Sequence, residues 1–91
     1  MAYRLIVTGQ FKKDVKRCKK RGLPLDELWN AIRLLLESGK LPEKYMTHKL
    51  SGSKNGLLEC HIRPDWLLVW KQDDQELVIL LASTGTHSDL F

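Results

Sequence analysis

The sequence has no apolar run near the ~18 residues that a membrane-crossing helix needs. Its opening, Met-Ala-Tyr-Arg, lacks the apolar core of a secretion signal. Both absences lead us to expect a cytoplasmic chain with no membrane partner. Cysteine is scarce as well. Cys18 and Cys60 are the only two thiols, whereas a small secreted domain usually carries several bridges. Both are therefore expected to be reduced, with Cys60 serving as a small core residue. Internal repeats, low-complexity tracts and linkers are missing too. The 91 residues are expected to fold as one domain, 1–91, with only a modest core. Acids are nearly absent from the start of the chain. Arg4, Lys12, Lys13, Lys16, Arg17, Lys19, Lys20 and Arg21 are opposed there by Asp14 alone. The net charge of +4 is thus concentrated at one end, which points to a polyanionic partner or to a solvated helix face.

What is present reads as alternating periods. Tyr3 to Thr8 is short, β-branched and aromatic, and predicts a strand. Phe11, Val15 and Cys18 fall at i, i+4 and i+7, the narrow apolar stripe of a helix from Thr8 to Arg21. Gly22 is its expected stop. Leu25, Leu28, Trp29, Ile32, Leu35 and Leu36 form a broader second stripe, with Pro24 before it and Gly39 after it. Beyond Pro42 the pattern becomes that of strands: Tyr45 to Leu50, Leu57 to Ile62, Trp66 to Gln72 and Glu76 to Ser83. Ser51 to Gly56 and Asp73-Asp74-Gln75 supply turns, and Pro64 breaks the middle. The expected fold is α+β: β-α-α followed by an antiparallel β-meander, with two helices packed on one face of the sheet.

Such a meander gathers the three histidines. If Tyr45 to Leu50 folds back across the Ser51–Gly56 turn, His48 falls opposite roughly Glu59, one step from His61. A turn centred near Asp74 pairs Trp66 with roughly Ala82, and His87 follows a few residues later. His48, His61, Asp65 and His87 then cluster at one end of one sheet. A single strand histidine is usually structural. Three beside an aspartate form a group that can exchange protons near neutral pH.

Two chemistries use such a set. Three histidines and a carboxylate can bind zinc, although no HExxH pattern and no paired short spacing is present. Alternatively, they can cleave RNA by acid–base catalysis. The ribose 2′-hydroxyl attacks the adjacent phosphorus, one group takes its proton, another protonates the leaving 5′-oxygen, and cations steady the phosphate. Arg63 or a lysine can serve as that cation, basic helix residues can hold flanking phosphates, and Trp66 or Phe91 can stack on a base.

Three stretches carry a resemblance. His48-Lys-Leu-Ser-Gly52, His61-Ile-Arg-Pro-Asp-Trp66 and Thr84-Gly-Thr-His-Ser-Asp-Leu-Phe91 resemble the YafQ branch of the RelE-type bacterial toxins. The matching region runs from about Tyr45 to Phe91, and the first half agrees in pattern only. The resemblance implies a RelE-like fold and a metal-independent endoribonuclease that cuts mRNA in the ribosomal A site and leaves a 2′,3′-cyclic phosphate. No cofactor and no metal is implied. The catalytic set would be His48, His61, Asp65 and His87. Within it, His87 would be the general acid and His48 the general base, with Asp65 and His61 at the phosphate or orienting the base. Lys12, Lys13, Lys16, Lys19, Lys20, Lys49, Arg63, Trp66 and Phe91 would bind RNA or the ribosome. The implied partners are the 70S ribosome with its rRNA and mRNA, and an antitoxin that wraps the toxin with an acidic segment. Operator DNA would be met only through that antitoxin's DNA-binding part. Arg63 is the one arginine in the matching region, so proton transfer by histidine fits better than the arginine-rich chemistry of the RelE branch proper. The alternative is a non-catalytic basic module that binds RNA, the ribosome or an antitoxin.

Overall fold

A computed structural model describes residues 2–52 and 56–91. The elements are β1 (Arg4–Val7), α1 (Gly9–Lys20), α2 (Leu25–Ser38), β2 (His48–Lys49), β3 (Leu58–Arg63), β4 (Trp66–Asp73), β5 (Val78–Gly85) and α3 (His87–Leu90). A 3-10 turn covers Glu43–Tyr45. Thr8 starts α1 as its cap, its hydroxyl oxygen accepting from the Phe11 N–H at 3.1 Å. Gly39 ends α2 in the left-handed region at φ 74°, and Tyr3 packs so closely there that no Cβ would fit.

The strands form one mixed sheet in the order β1-β5-β4-β3-β2. The β2–β3, β3–β4 and β4–β5 pairs are antiparallel, which is the expected meander. β1 lies parallel to β5, Arg4 facing Val78, a closure that periodicity does not announce. Phe11 and Cys18 of α1 and Leu28, Ile32 and Leu35 of α2 pack with Cys60, Trp66, Leu68, Trp70, Ile79 and Leu81 in one core cluster. These sheet residues alternate along their strands, so both helices cover the same face. Cys18 and Cys60 are free and buried.

Two expectations need correction, and the sequence leaves one segment unassigned. The strand expected over Tyr45 to Leu50 shrinks to His48–Lys49. Pro42 opens the 3-10 turn instead, and Met46 closes it in the left-handed region at φ 52°. The β4–β5 turn also sits later than expected. Asp73 Oδ1 accepts from the N–H groups of Gln75 and Glu76 at 3.0 Å each, so the loop opens after Asp73 and β5 starts at Val78. Consequently Trp66 does not pair near Ala82 as expected, because Leu67 already pairs with Gly85. Finally, the segment after Gly85 is a short helix. Thr86 and Asp89 form a reciprocal capping box at its start. In the expected Ser51–Gly56 turn, positions 53–55 lie outside the described residues.

One buried polar group ties the helix layer to the sheet. Asp14 and Thr84 are both fully buried. Asp14 accepts from the Thr84 N–H at 3.1 Å and from Gln10 Nε2 at 2.9 Å, and pairs with Arg17 at 3.1 Å. Thr84 Oγ1 in turn donates to Leu67 O at 2.6 Å and accepts from Trp66 Nε1 at 3.0 Å. Asp14→Ala leaves a buried N–H without an acceptor. It is expected to cost about 3 kcal/mol, read as a lower urea midpoint at unchanged m-value.

Candidate active site

His48, His61 and His87 stand in a row, although they come from β2, β3 and α3. The ring centroids of His48 and His61 are 6.3 Å apart, and those of His61 and His87 are 6.0 Å apart. Phe91 extends the row at 6.5 Å from His87. Strand pairing explains each position. His48 faces Glu59 across β2–β3, as the sequence led us to expect. His61 lies two residues beyond Glu59 and therefore on the same face, the one turned away from the helical core. Arg63 pairs with Trp66, so Pro64 and Asp65 form a two-residue turn at the sheet end. Because Leu67 pairs with Gly85, the chain delivers His87 level with Asp65.

The contacts orient the rings. His87 donates from Nδ1 to Asp65 Oδ1 at 2.7 Å, and its backbone N–H donates to the same oxygen at 3.1 Å. These bonds hold the Asp65 carboxyl below the usual carboxylate range. His61 Nδ1 meets Pro64 O at 3.3 Å, and His48 Nδ1 meets Met46 O at 3.2 Å. A carbonyl only accepts, so these contacts assign the proton to Nδ1 in both rings. Nε2 of His61 and of His87 has no hydrogen-bond partner among the described residues. His48 differs, because its Nε2 lies 3.1 Å from Glu59 Oε1.

Sequence reasoning missed four residues here. Glu59 is buried while His48 and His87 are half exposed. An acid inside the apolar stretch Leu57 to Ile62 was its signal. Lys44 and Tyr45 line a cleft of about 270 Å3 with Glu27, Asn30, His61 and Ile62, bringing a cation beside the row. Asp89 fastens α3. Its carboxylate takes a bidentate pair from Arg21 at 2.5 and 3.1 Å and a bond from the Thr86 N–H at 2.9 Å. Arg17 Nε lies 3.6 Å away. The Thr-x-x-Asp spacing from Thr86 was the readable sign of this clamp.

Other expected contacts fall elsewhere. Trp66 is 2% exposed and hydrogen-bonded to Thr84. It supports the site from within the core and offers no face to a base. Arg63 is held by Glu27 of α2 through Nε at 3.0 Å and NH2 at 2.7 Å, so its charge is already paired. Lys49 lines a separate groove with Leu58, Gln72 and Asp74. Phe91 is 57% exposed. Lys12, Lys13, Lys16, Lys19 and Lys20 are exposed along α1. Lys12 and Lys16 border an almost wholly apolar groove of about 380 Å3 lined by Leu5, Val7, Phe11, Trp29 and Ile32. None of the histidines reaches that groove.

Comparison with known proteins places this geometry. The family model described as "Bacterial toxin of type II toxin-antitoxin system, YafQ" matches residues 3–91. The mRNA interferase toxin YafQ of Escherichia coli strain K12 is 38% identical over 85 residues, which is 92% of this chain and 90% of that protein. The crystal structure of the E. coli DinJ-YafQ toxin-antitoxin complex superposes with a TM-score of 0.90 at 35% identity, covering 100% of this chain and 99% of that one. A metal-bound toxin from Helicobacter pylori superposes with a TM-score of 0.88 at 35% identity, covering all of both chains.

The Asp89 clamp has a pH signature. Bonds from Arg21 and Thr86 push its carboxyl well below its ordinary value, while the unfolded value stays near ~3.9. Its stabilisation is therefore complete above about pH 4 and is lost as the pH falls through the folded value. Asp89→Asn is expected to lower the melting temperature by about 5 °C at pH 7. The gap from wild type should narrow steadily below about pH 4, as measured by thermal melts from pH 7 to pH 2.5.

Proposed function

The chain belongs to the YafQ family of bacterial toxins of type II toxin–antitoxin systems, and from that premise we propose that it is an mRNA interferase that cleaves mRNA in the ribosomal A site. The observation that carries the reading is the histidine row. Two of its rings present an open Nε2, and one of these is backed by a carboxylate at Nδ1. That arrangement suits transesterification at an RNA phosphate, where a donor and an acceptor act on neighbouring oxygens.

His87 is the general acid. Asp65 stabilises its imidazolium and aims Nε2 at the leaving 5′-oxygen, the orienting role a carboxylate plays beside a catalytic imidazole. His48 is the general base. With Nδ1–H on Met46 O, Nε2 of the neutral ring takes the 2′-hydroxyl proton beside Glu59. Glu59 then stabilises the cation that forms. His61, between them, faces the phosphate. Lys44, in the cleft beside His61, supplies positive charge to the equatorial oxygens in place of Arg63. Phe91 carries the stacking contact. RNA brings its own nucleophile, so the cycle needs no metal and ends in a 2′,3′-cyclic phosphate.

The lysines of α1 fit two polyanions in turn, ribosomal RNA and the acidic segment of an antitoxin. The apolar groove beside Lys12 and Lys16 would seat the antitoxin's aliphatic side chains. The antitoxin carries the contacts to operator DNA, and all of these encounters are cytoplasmic.

The decisive experiment is cleavage of a defined mRNA on purified programmed ribosomes, mapped by primer extension. Wild type is expected to cut within the A-site codon. His87→Ala is expected to cut about 10²–10⁴-fold more slowly, the range lost with a general acid. Intact mRNA after incubation with folded wild type would sink the nuclease reading and favour a binding module. For the antitoxin, the association rate measured by stopped flow should fall as salt is raised from 50 to 500 mM, with dissociation changing little. A flat association rate would count against the role given to α1.

A further inference from the structure

The β2–β3 ladder ends at Glu59, while β3 itself runs on to Arg63. Beside that last stretch the cleft of about 270 Å3 opens between β3, the 3-10 turn and the first turns of α2. None of its lining comes from β4, β5 or α3, so it lies on the His48 side of the row, across from Phe91. Its volume falls just short of the ~300 Å3 at which sites for drug-sized ligands begin, which suits a single nucleobase.

The polar groups of the cleft narrow its ligand. Glu27 and Asn30 stand three residues apart on α2 and share one face of it. Arg63 donates to both carboxylate oxygens of Glu27 and holds the carboxyl below the usual carboxylate range. A carboxylate offers about four lone pairs, so room for two further donors remains. Asn30 Oδ1 accepts from Arg33 NH2 at 2.7 Å. A guanidinium only donates, so this contact fixes the amide's orientation. It leaves Nδ2 as a donor without a partner among the described residues. Tyr45 is buried and Ile62 half-buried, and they give the cleft an apolar wall. A phosphate would meet the Glu27 carboxylate, a like charge. A base with donors fits instead. On its Watson–Crick edge, the edge that proteins read in unpaired RNA, guanine alone presents two neighbouring donors, N1–H and N2–H, with the acceptor O6 beside them.

We propose that this cleft is a guanine subsite, and that it takes the base of the nucleotide on the 5′ side of the broken bond. The second half rests on the nuclease reading above, whereas the binding half does not. Glu27 accepts from N1–H and N2–H, Asn30 Nδ2 donates to O6, and the flank of the ring lies along Tyr45 and Ile62. The ribose of the same nucleotide then carries its 2′-hydroxyl toward His48. Lys44 stays with the phosphate. The two ends of the histidine row thereby serve the two nucleotides that flank the cut, the cleft reading one base and Phe91 stacking on the other.

The test uses the purified full chain and two readouts. In the first, the 3′-monophosphates of guanosine, adenosine, cytidine and uridine are titrated into isotope-labelled protein and followed by NMR at the α2 backbone amides and the Asn30 side-chain amide. Guanosine 3′-monophosphate is expected to bind about 10-fold more tightly than the other three, the order of one bidentate base contact. Glu27→Gln should erase that difference. Asn30→Ala, a change that favours the helix, should narrow it and keeps the test valid if Glu27→Gln fails to fold. No binding, or equal affinities, in folded wild type overturns the subsite, and so does a preference that both variants keep. In the second, mRNAs that differ only in the base 5′ of the cut are cleaved on programmed ribosomes. Guanine there should raise kcat/KM by the same factor, and the variants should lose that ratio. A variant that merely loosened the fold would slow all four mRNAs alike. Cleavage indifferent to this base overturns the cleft's part in the reaction. A chain that selects guanosine 3′-monophosphate through Glu27 yet never cuts RNA overturns the nuclease reading and leaves the subsite standing.

Discussion

Everything at the site depends on Thr84 being fixed at the end of β5. Its three polar groups all point to different parts of the molecule. The N–H goes to Asp14 of α1, the carbonyl accepts from Arg17 at 3.2 Å, and the hydroxyl bridges Trp66 and Leu67 of β4. None of these groups has access to water, so none has a substitute if its partner moves. Gly85 follows directly, and the space where its Cβ would lie is taken by Arg17 and Asp89. Thr86 then opens α3 and delivers His87. The helix layer thus sets the position of His87 on the far side of the sheet, through a residue outside the histidine row.

Two carboxylates meet the histidine row in different settings. Asp65 is exposed on a tight turn and bonded to His87 by two donors, which hold its carboxyl below the usual carboxylate range. Glu59 is buried on a strand and faces a ring whose other nitrogen is already engaged. The row thereby meets one acid held by two donors on an exposed turn and another held beside a single ring within the sheet.

The sequence shows the elements well because both periods are strong. The stripes Phe11-Val15-Cys18 and Leu28-Ile32-Leu35 mark the helices, and the apolar runs from Trp66 and toward Ser83 mark the hairpin. It shows the row less directly. His48 opposite Glu59 follows from one short hairpin, and the observed register agrees. The level of His87 does not follow, because the Asp73 side chain shifts the β4–β5 turn and one bulge lies between Val69 and Trp70. Residue type alone does not show the surroundings of Arg63 and Trp66. Both neighbour residues of the row in the sequence, yet Glu27 pairs with one and the core absorbs the other. Pairing partners and burial are tertiary facts, and no local spacing encodes them.

The parallel joining of β1 to β5 has a temporal side. Thr8 at the end of β1 bonds to Leu81, 73 positions later. The first strand to be synthesised therefore waits for the last before the sheet can close, and long-range closure of this kind is slow to form. His87 lies beyond even that point. A chain leaving the ribosome in stages has its lysines and its first two histidines out early, but no assembled row. The row is therefore among the last features of the fold to assemble.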